Sequence, residues 1–396
     1  MFSLDEYADR LAAVQQRMAE RDWAALVVVD PANLFYLCGY NAWSFYVPQC
    51  LVVPAEGVPH LFARAMDAQG AHWTASLPQD QVHGYPEHLV HHPEAHPFDW
   101  ITRRAVEIGV LPDRPDTTVA AELDAHYFTP RAFLALSNAL SHADIVDSRE
   151  LVNWVRLVKS PAEIDALREA GKIATTAMEV ALDGVREGRR QCDVVAEIQQ
   201  AQALGTGESG GDYPAIVPML PTGESAGTPH LTWSDAPLIA GEATVIELAG
   251  VHHRYHAPLA RTVMLGRPAP RLVSCADAVA EGLAAALDEL RPGRTAAESH
   301  RAFTDVIARH GLAKESRIGY SIGIGYPPDW GERTVSLREG STTVIEAGMA
   351  FHVILGMWMD GWGYETSESV VITDAGAEAL THVPQGLTTK IEQGVT

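Results

Sequence analysis

Lysine is scarce in this chain: only Lys159, Lys172, Lys314 and Lys390 occur, and Lys and Arg together number 29 against 51 Asp and Glu. The net charge of −22 repels phosphate backbones and so excludes nucleic acid as a natural partner. The plain reading of that charge is solubility in a salt-accumulating cytoplasm; the sharper one is attraction of a cationic substrate. Cysteine is equally rare. Cys38, Cys50, Cys192 and Cys275 show no C-x-x-C spacing, so they read as reduced thiols of a cytoplasmic protein rather than as disulfides or a zinc site. No apolar run approaches about eighteen residues, which argues against a membrane span. The start, MFSLDEYADRLAAVQQRM, is acidic and amphipathic, unlike a signal peptide.

What is present is length and apolar content. With 396 residues, 47% of them hydrophobic, the chain can build two cores. Ser3 and Glu6 make a capping box for a helix to about Arg21. Short strands are expected at Ala25–Val29, Gln49–Pro54, His60–Arg64, Val119–Ala121 and Ile145–Val146, with a polar turn at Asp30–Asn33 and an exposed loop over Val82–Trp100. This alternation predicts a small α/β domain over residues 1–155. Ser160-Pro161-Ala162-Glu163 then combines an N-cap, a first-turn proline and a third-position glutamate, and opens the second domain, 156–396. Helices at Ile164–Glu187, Val194–Leu204, Ala276–Leu290 and Ala296–His310 alternate with strands at Thr244–Leu248, Ala260–Leu265, Thr343–Ile345, Ala350–Leu355 and Ser369–Ile372. Gly205–Gly227 is a shaped loop and Asp329–Arg333 a Gly/Pro turn.

Three ordered segments, ELVNWVRLVKSPAEI, the strand pair ending in ARTVMLG, and AGMAFHV, resemble the "pita-bread" proteins: methionine aminopeptidase, prolidase, aminopeptidase P and creatinase. The resemblance implies an α/β N-terminal domain followed by an α+β pita-bread catalytic domain, the creatinase/aminopeptidase fold. Carried over position by position, it also implies a dismantled metal site. The two aspartates that help bridge the metals become Glu247 and Pro258, the histidine of the glycine-rich turn becomes Tyr320, and the glutamate after the GMxF strand becomes Ile354. The last glutamate falls at Ser367, or after a slip at Glu365 or Glu368. Hard and borderline divalent metals need several carboxylates and an imidazole, so no metal and no other cofactor is expected. His230, by contrast, stands where aminopeptidase P and creatinase keep a proton-handling histidine. Creatinase's own glutamate, in its LERT segment, is Ala260 here.

GYNAWSFYVPQ, SGGDYPAIVPMLPTG, TPHLTW and GYSIGIGYPPDWGER look like segments of the ectoine hydrolases. That resemblance implies opening of the cyclic amidine of ectoine to N-acetyl-2,4-diaminobutyrate, a homodimer whose N-terminal domain lies near the neighbouring active site, and a downstream deacetylase as a further partner. Glu247 would pair with the amidinium and attack it or activate water, with His230 as proton shuttle and Glu365 or Glu368 as second carboxylate. Alternatively Glu247 is a strand carboxylate paired with Arg254 or Arg261. Strand alternation puts His252, Arg254 and His256 on one face and His253 and Tyr255 on the other, with His256 or Tyr255 at the site. Asp212, Tyr320, Asp329 and Glu332 complete the expected pocket; Trp330 and Arg333 share their turn. Tyr40, Trp43, Phe45 and Tyr46 are core residues or an aromatic lid, and Arg254, Arg261 or Arg333 would hold the substrate carboxylate. The competing readings are a creatinase-like amidinohydrolase, a metal-dependent Xaa-Pro dipeptidase, and a binding protein with a dead site.

Overall fold

The computed structural model describes residues 2–391. The chain divides into two compact units, Met1–Arg156 and Leu157–Thr396. In the first, a six-stranded sheet is built from β1 (Trp23–Val28), β2 (Cys50–Pro54), β3 (His60–Arg64), β4 (Val82–Tyr85), β5 (Thr118–Ala121) and β6 (Asp144–Asp147). Its order is β4-β3-β2-β1-β5-β6, with the β1–β2 and β2–β3 pairs antiparallel and the others parallel. The inner strands β1, β2 and β5 are near-continuous apolar runs, buried on both faces, while the edge strands β4 and β6 carry polar, partly exposed residues.

Two expectations fail in this unit. Asp30–Asn33 is not a turn: Asp30 caps a helix, Pro31–Cys38, by accepting from the Ala32 amide, and Pro31 takes the first helical position, where its missing N–H costs nothing. Val82–Trp100 is not one loop either, since it contains β4 and the start of a helix at Pro97–Glu107 capped by His96. The Pro-rich spelling that suggested a loop marks element boundaries instead.

The second unit holds an eight-stranded sheet formed by β7 (Ala243–His252), β8 (Tyr255–Leu265), β9 (Gly319–Tyr326), β10 (Asp329–Ser336), β11 (Ala350–Met359), β12 (Trp362–Thr373), β13 (Gly376–Ala379) and β14 (Thr388–Lys390). Its path is β13-β12-β11-β9-β8-β14, with β7 on β8 and β10 on β9. Helices Pro161–Gly184 and Gln191–Leu204 pack on the β7–β8 hairpin, while Pro270–Glu289 and Ala296–Arg309 pack on the other strands, giving two separate apolar clusters. The Ser160–Glu163 capping box is present as read.

Three expectations are corrected here. Thr343–Ile345 contributes only an isolated bridge, Val344 to Thr295, rather than a strand. Asp329, Trp330, Glu332 and Arg333 lie on β10, and the turn before them shrinks to Pro327-Pro328. His253 and Arg254 form the β7–β8 turn with φ of 47° and 64°, so the side-chain alternation read through them breaks.

That turn is held by Arg254. Its guanidinium donates to Tyr213 O and Gly325 O, both at 2.6 Å, and lies between the rings of Tyr213 and Tyr326. Arg261 does the same for the other end of the sheet. It donates to Ser367 O (2.6 Å), Val383 O (2.7 Å) and Pro384 O (2.9 Å), and pairs with Glu368 at 2.6 Å. Both partners of that pair are buried, so removing one strands the other. Arg261→Met is therefore expected to cost about 3–5 kcal/mol of folding free energy in urea unfolding. A loss within experimental error would mean the pair does not hold β8 to β12.

Candidate active site

The largest functional reading attaches to a cavity of about 480 Å³ in the second unit. Its acidic wall is Glu247, Glu365 and Asp329; Lys314, Arg317 and Ser316 supply hydrogen-bond donors; His230 stands at the side; Trp330, Trp358, Ile216, Met219, Pro229 and Ile354 make the apolar lining, with Tyr320 beside them.

Glu247 sits on β7 opposite Ala260, and its backbone exchanges hydrogen bonds with Met219 at 2.9 and 3.1 Å. Its carboxylate is 7% exposed and pairs with no arginine; Arg254 and Arg261 are both committed elsewhere. Glu365, on β12 opposite Gly356, is 3% exposed. Thr262 holds its backbone through hydroxyl contacts at 2.8 and 2.9 Å, while the carboxylate makes no hydrogen bond among the described residues. Burial pushes Glu247 up from 4.5 to about 7. Burial, and then the neighbouring Glu247 charge, push Glu365 well above the usual carboxylate range, with Lys314 opposing. Two buried, mutually repelling carboxyl groups without hydrogen-bonded partners are expensive to fold. They persist where a ligand cation completes them.

The other residues that the resemblance set against metal-donor positions lie beside this cavity on β8, β9, β11 and β12. Ser367 pairs with Ile354 across β12 and β11. Ser367 Oγ accepts from the Ala260 amide at 2.7 Å and lies 2.8 Å from His352 Nε2; His352 Nδ1 lies 3.1 Å from Tyr320 Oη, which accepts from Trp330 Nε1 at 2.8 Å. Burial drops His352 to about 3, so the imidazole is neutral, and keeps the Tyr320 phenol protonated. A relay of neutral groups thus occupies the volume, and Pro258 offers only a carbonyl, accepting from Ser369 Oγ at 2.6 Å. No group of three or more His, Cys, Asp or Glu placed to hold a metal occurs among the described residues, and the Tyr320–His352–Ser367 relay offers no carboxylate to a hard cation.

His230 lines the cavity with φ of 66°, a left-handed conformation uncommon outside glycine and found at strained functional positions. Gly356 admits the ring of Trp358: a Cβ there would lie 2.4 Å from it.

Of the residues expected at the site, Glu247, His230, Glu365, Tyr320 and Asp329 line the cavity. The others in this unit do not, and most are held by partners outside it. Arg254 and Arg261 clamp backbone carbonyls as described, and Glu368 also accepts from Thr381 and Gln385. The Tyr255 hydroxyl donates to Glu163 at 2.6 Å. His256 accepts from the Ala215 amide and contacts Arg254 O, which supports the loop behind Trp330. Glu332 forms a buried pair with Lys159 at 2.6 Å. Asp212 accepts from the Arg254 amide, and Arg333 stands on β10 outside the cavity lining. In the first unit, Tyr40 and Phe45 are buried, Tyr40 bonding Ser44, whereas Trp43 and Tyr46 are each 56% exposed. Lys314, Arg317, Met219 and Trp358 were missed. Lys314-x-x-Arg317 directly before GYSIG was the available signal in so lysine-poor a chain.

Residues 165–374 match metallopeptidase family M24, and residues 10–158 match the creatinase/prolidase N-terminal domain. The chain belongs to family M24. It is a hydrolase of the creatinase-like pita-bread fold. The ectoine hydrolase of Halomonas elongata is 43% identical, covering 98% of either chain, and an uncharacterized hydrolase/peptidase of Sinorhizobium fredii is 40% identical over 98% of either. Among solved structures, the dipeptidase PepE of Mycobacterium ulcerans superposes with a TM-score of 0.80 at 26% identity, covering 98% of this chain and 99% of that one. A prolidase of Thermococcus sibiricus reaches 0.83 at 17% identity, covering 98% and 100%, a likeness of fold alone. No helix among the described residues is long and apolar enough to cross a membrane.

Because folding raises the Glu247 pKa, its contribution is favourable below about 4.5 and is lost as pH rises through about 7. Glu247→Gln should therefore melt above the parent protein at about pH 8, with the gap closing towards about pH 4. Differential scanning calorimetry that finds a gap independent of pH would overturn the assignment of a buried, unpaired carboxylate.

Proposed function

We propose that this M24 hydrolase opens the cyclic amidine of ectoine without a metal, using Glu247 as nucleophile or base and His230 as proton shuttle. One observation carries the reading: Glu247 and Glu365 face the same cavity, buried and without hydrogen-bonded partners. An amidinium relieves their repulsion, since its planar cation offers two N–H donors to two acceptors. The 43% identity to an ectoine hydrolase supports the same substrate.

The electrophile is the ring carbon between the two nitrogens. Either a Glu247 oxygen attacks it and water then cleaves the adduct, or Glu247 takes a proton from water as that water attacks. In both versions the ring carbon gains an oxygen, one C–N bond breaks, and His230 delivers the proton to the leaving nitrogen, giving N-acetyl-2,4-diaminobutyrate. The apolar walls of Trp330 and Trp358 limit competing water. The donor chemistry at the former metal positions supports metal independence. In the same proposal the enzyme is a cytoplasmic homodimer, to which the exposed Trp43 and Tyr46 lend support as candidate lid residues.

Proton NMR of ectoine with exhaustively chelated protein is expected to show conversion at the untreated rate, and Glu247→Gln to lower kcat by at least about a thousandfold. An unchanged ectoine spectrum with the parent protein, together with turnover of creatine, would replace this reading with a creatinase-like one. Activity lost on chelation and restored by a divalent metal would end the metal-free mechanism.

A further inference from the structure

Among the cavity's charged groups, two cations have no part in the chemistry proposed above. Lys314 and Arg317 lie in the segment between helix Ala296–Arg309 and β9, and both line the cavity that holds Glu247 and Glu365. Lys314 donates to Gly356 O at 2.7 Å, leaving two ammonium N–H groups for other acceptors. Arg317 stacks on Tyr320, with its guanidinium carbon 4.4 Å from the ring centroid, and donates from Nη1 to Ser336 Oγ at 3.1 Å. Neither cation forms an ion pair among the described residues, although acids far outnumber bases in this chain.

The contrast with the other arginines near the site is instructive. Arg254 and Arg261 are fully buried and spend their donors on backbone carbonyls and, for Arg261, on Glu368. Arg317 is exposed at the cavity wall, and its Nε and Nη2 groups have no hydrogen-bond partner among the described residues. That edge of a guanidinium offers two parallel N–H groups matched to the two oxygens of a carboxylate. Stacking on Tyr320 holds the plane in place, so little side-chain freedom remains to be lost on binding.

We infer that Arg317, with Lys314 beside it, is the carboxylate subsite of this cavity, and that the enzyme selects zwitterions carrying an amidinium at one end and a carboxylate at the other. The inference rests on the hydrolase reading above for the identity of the zwitterion. Arg317 acts on binding and specificity, Glu247 and Glu365 on the amidinium. A substrate lacking the carboxylate leaves the two cations unpaired and is discriminated against; one lacking the amidinium leaves two carboxylates in repulsion.

The test compares ectoine with the same methyl-substituted tetrahydropyrimidine ring lacking the carboxylate. Arg317→Met should raise KM for ectoine by about tenfold to a hundredfold, as loss of a charge-assisted hydrogen-bond pair does, with kcat nearly retained. KM for the carboxylate-free ring should stay the same, and Arg317→Lys should recover part of the ectoine loss. Lys314→Met should shift ectoine in the same direction. Melting temperatures of the variants confirm folding. Equal losses on both compounds, or no change on ectoine, would overturn the subsite.

Calorimetric binding separates this outcome from failure of the function. If the parent protein binds ectoine without converting it, the function falls, and the Arg317→Met effect on affinity still decides the subsite. If ectoine does not bind, creatine and N,N-dimethylguanidine serve as the matched pair; absence of an Arg317-dependent preference for the carboxylate-bearing member overturns the inference.

Discussion

The contact between β8 and β12 governs the cavity, because it sets Glu365 on β12 near Glu247 on β7, the ladder partner of β8, and it is made through side chains rather than through a backbone ladder. Ser367 takes the Ala260 amide, Thr262 exchanges hydrogen bonds with the Glu365 backbone, and Ser369 reaches Pro258 O. Arg261 closes the seam from behind. Hydroxyls are short and directional, so they fix the strand spacing to within a hydrogen-bond length. Glu365 is carried on that seam, and Glu247 lies on β7 across from Ala260. Their proximity is a consequence of the seam, and so is the repulsion that makes the cavity receptive to a cation.

The same seam explains what became of the family's metal positions. Losing carboxylates from a buried site would leave a void or unsatisfied groups, both costly. Here the volume is filled by Trp330, Tyr320, His352 and Ser367 in hydrogen-bonded succession, a neutral network in which each member has a partner. Neutrality matters. A positive charge at that place would pair with Glu247 and cancel the very feature that supports amidinium binding. Arg254 and Arg261 are accordingly turned away, onto backbone carbonyls.

Much of this was legible in the letters. The approach of Glu247 and His230 to one cavity was a single-position reading, and the Ser160–Glu163 capping box is local chemistry within four residues. The failures were of two kinds. Prolines at 31, 86 and 97 suggested turns or loops where they mark the first turns and flanks of helices and strands. And arginine, histidine and glutamate residues were assigned to the pocket by strand alternation, turn placement and resemblance, although Arg254, His256, Glu332 and Glu368 are consumed by partners up to 173 residues away in sequence.

Sequence by itself determined the fold family, since that depends on residue types at known places in an ordered series. Only the tertiary structure decided which polar side chains are free. A guanidinium can clamp three carbonyls or meet a ligand, and the two fates look alike in the chain. What separates them is whether folding brings acceptors to its donors, as it does for Arg254 and Arg261, or leaves one edge open to a cavity, as it does for Arg317.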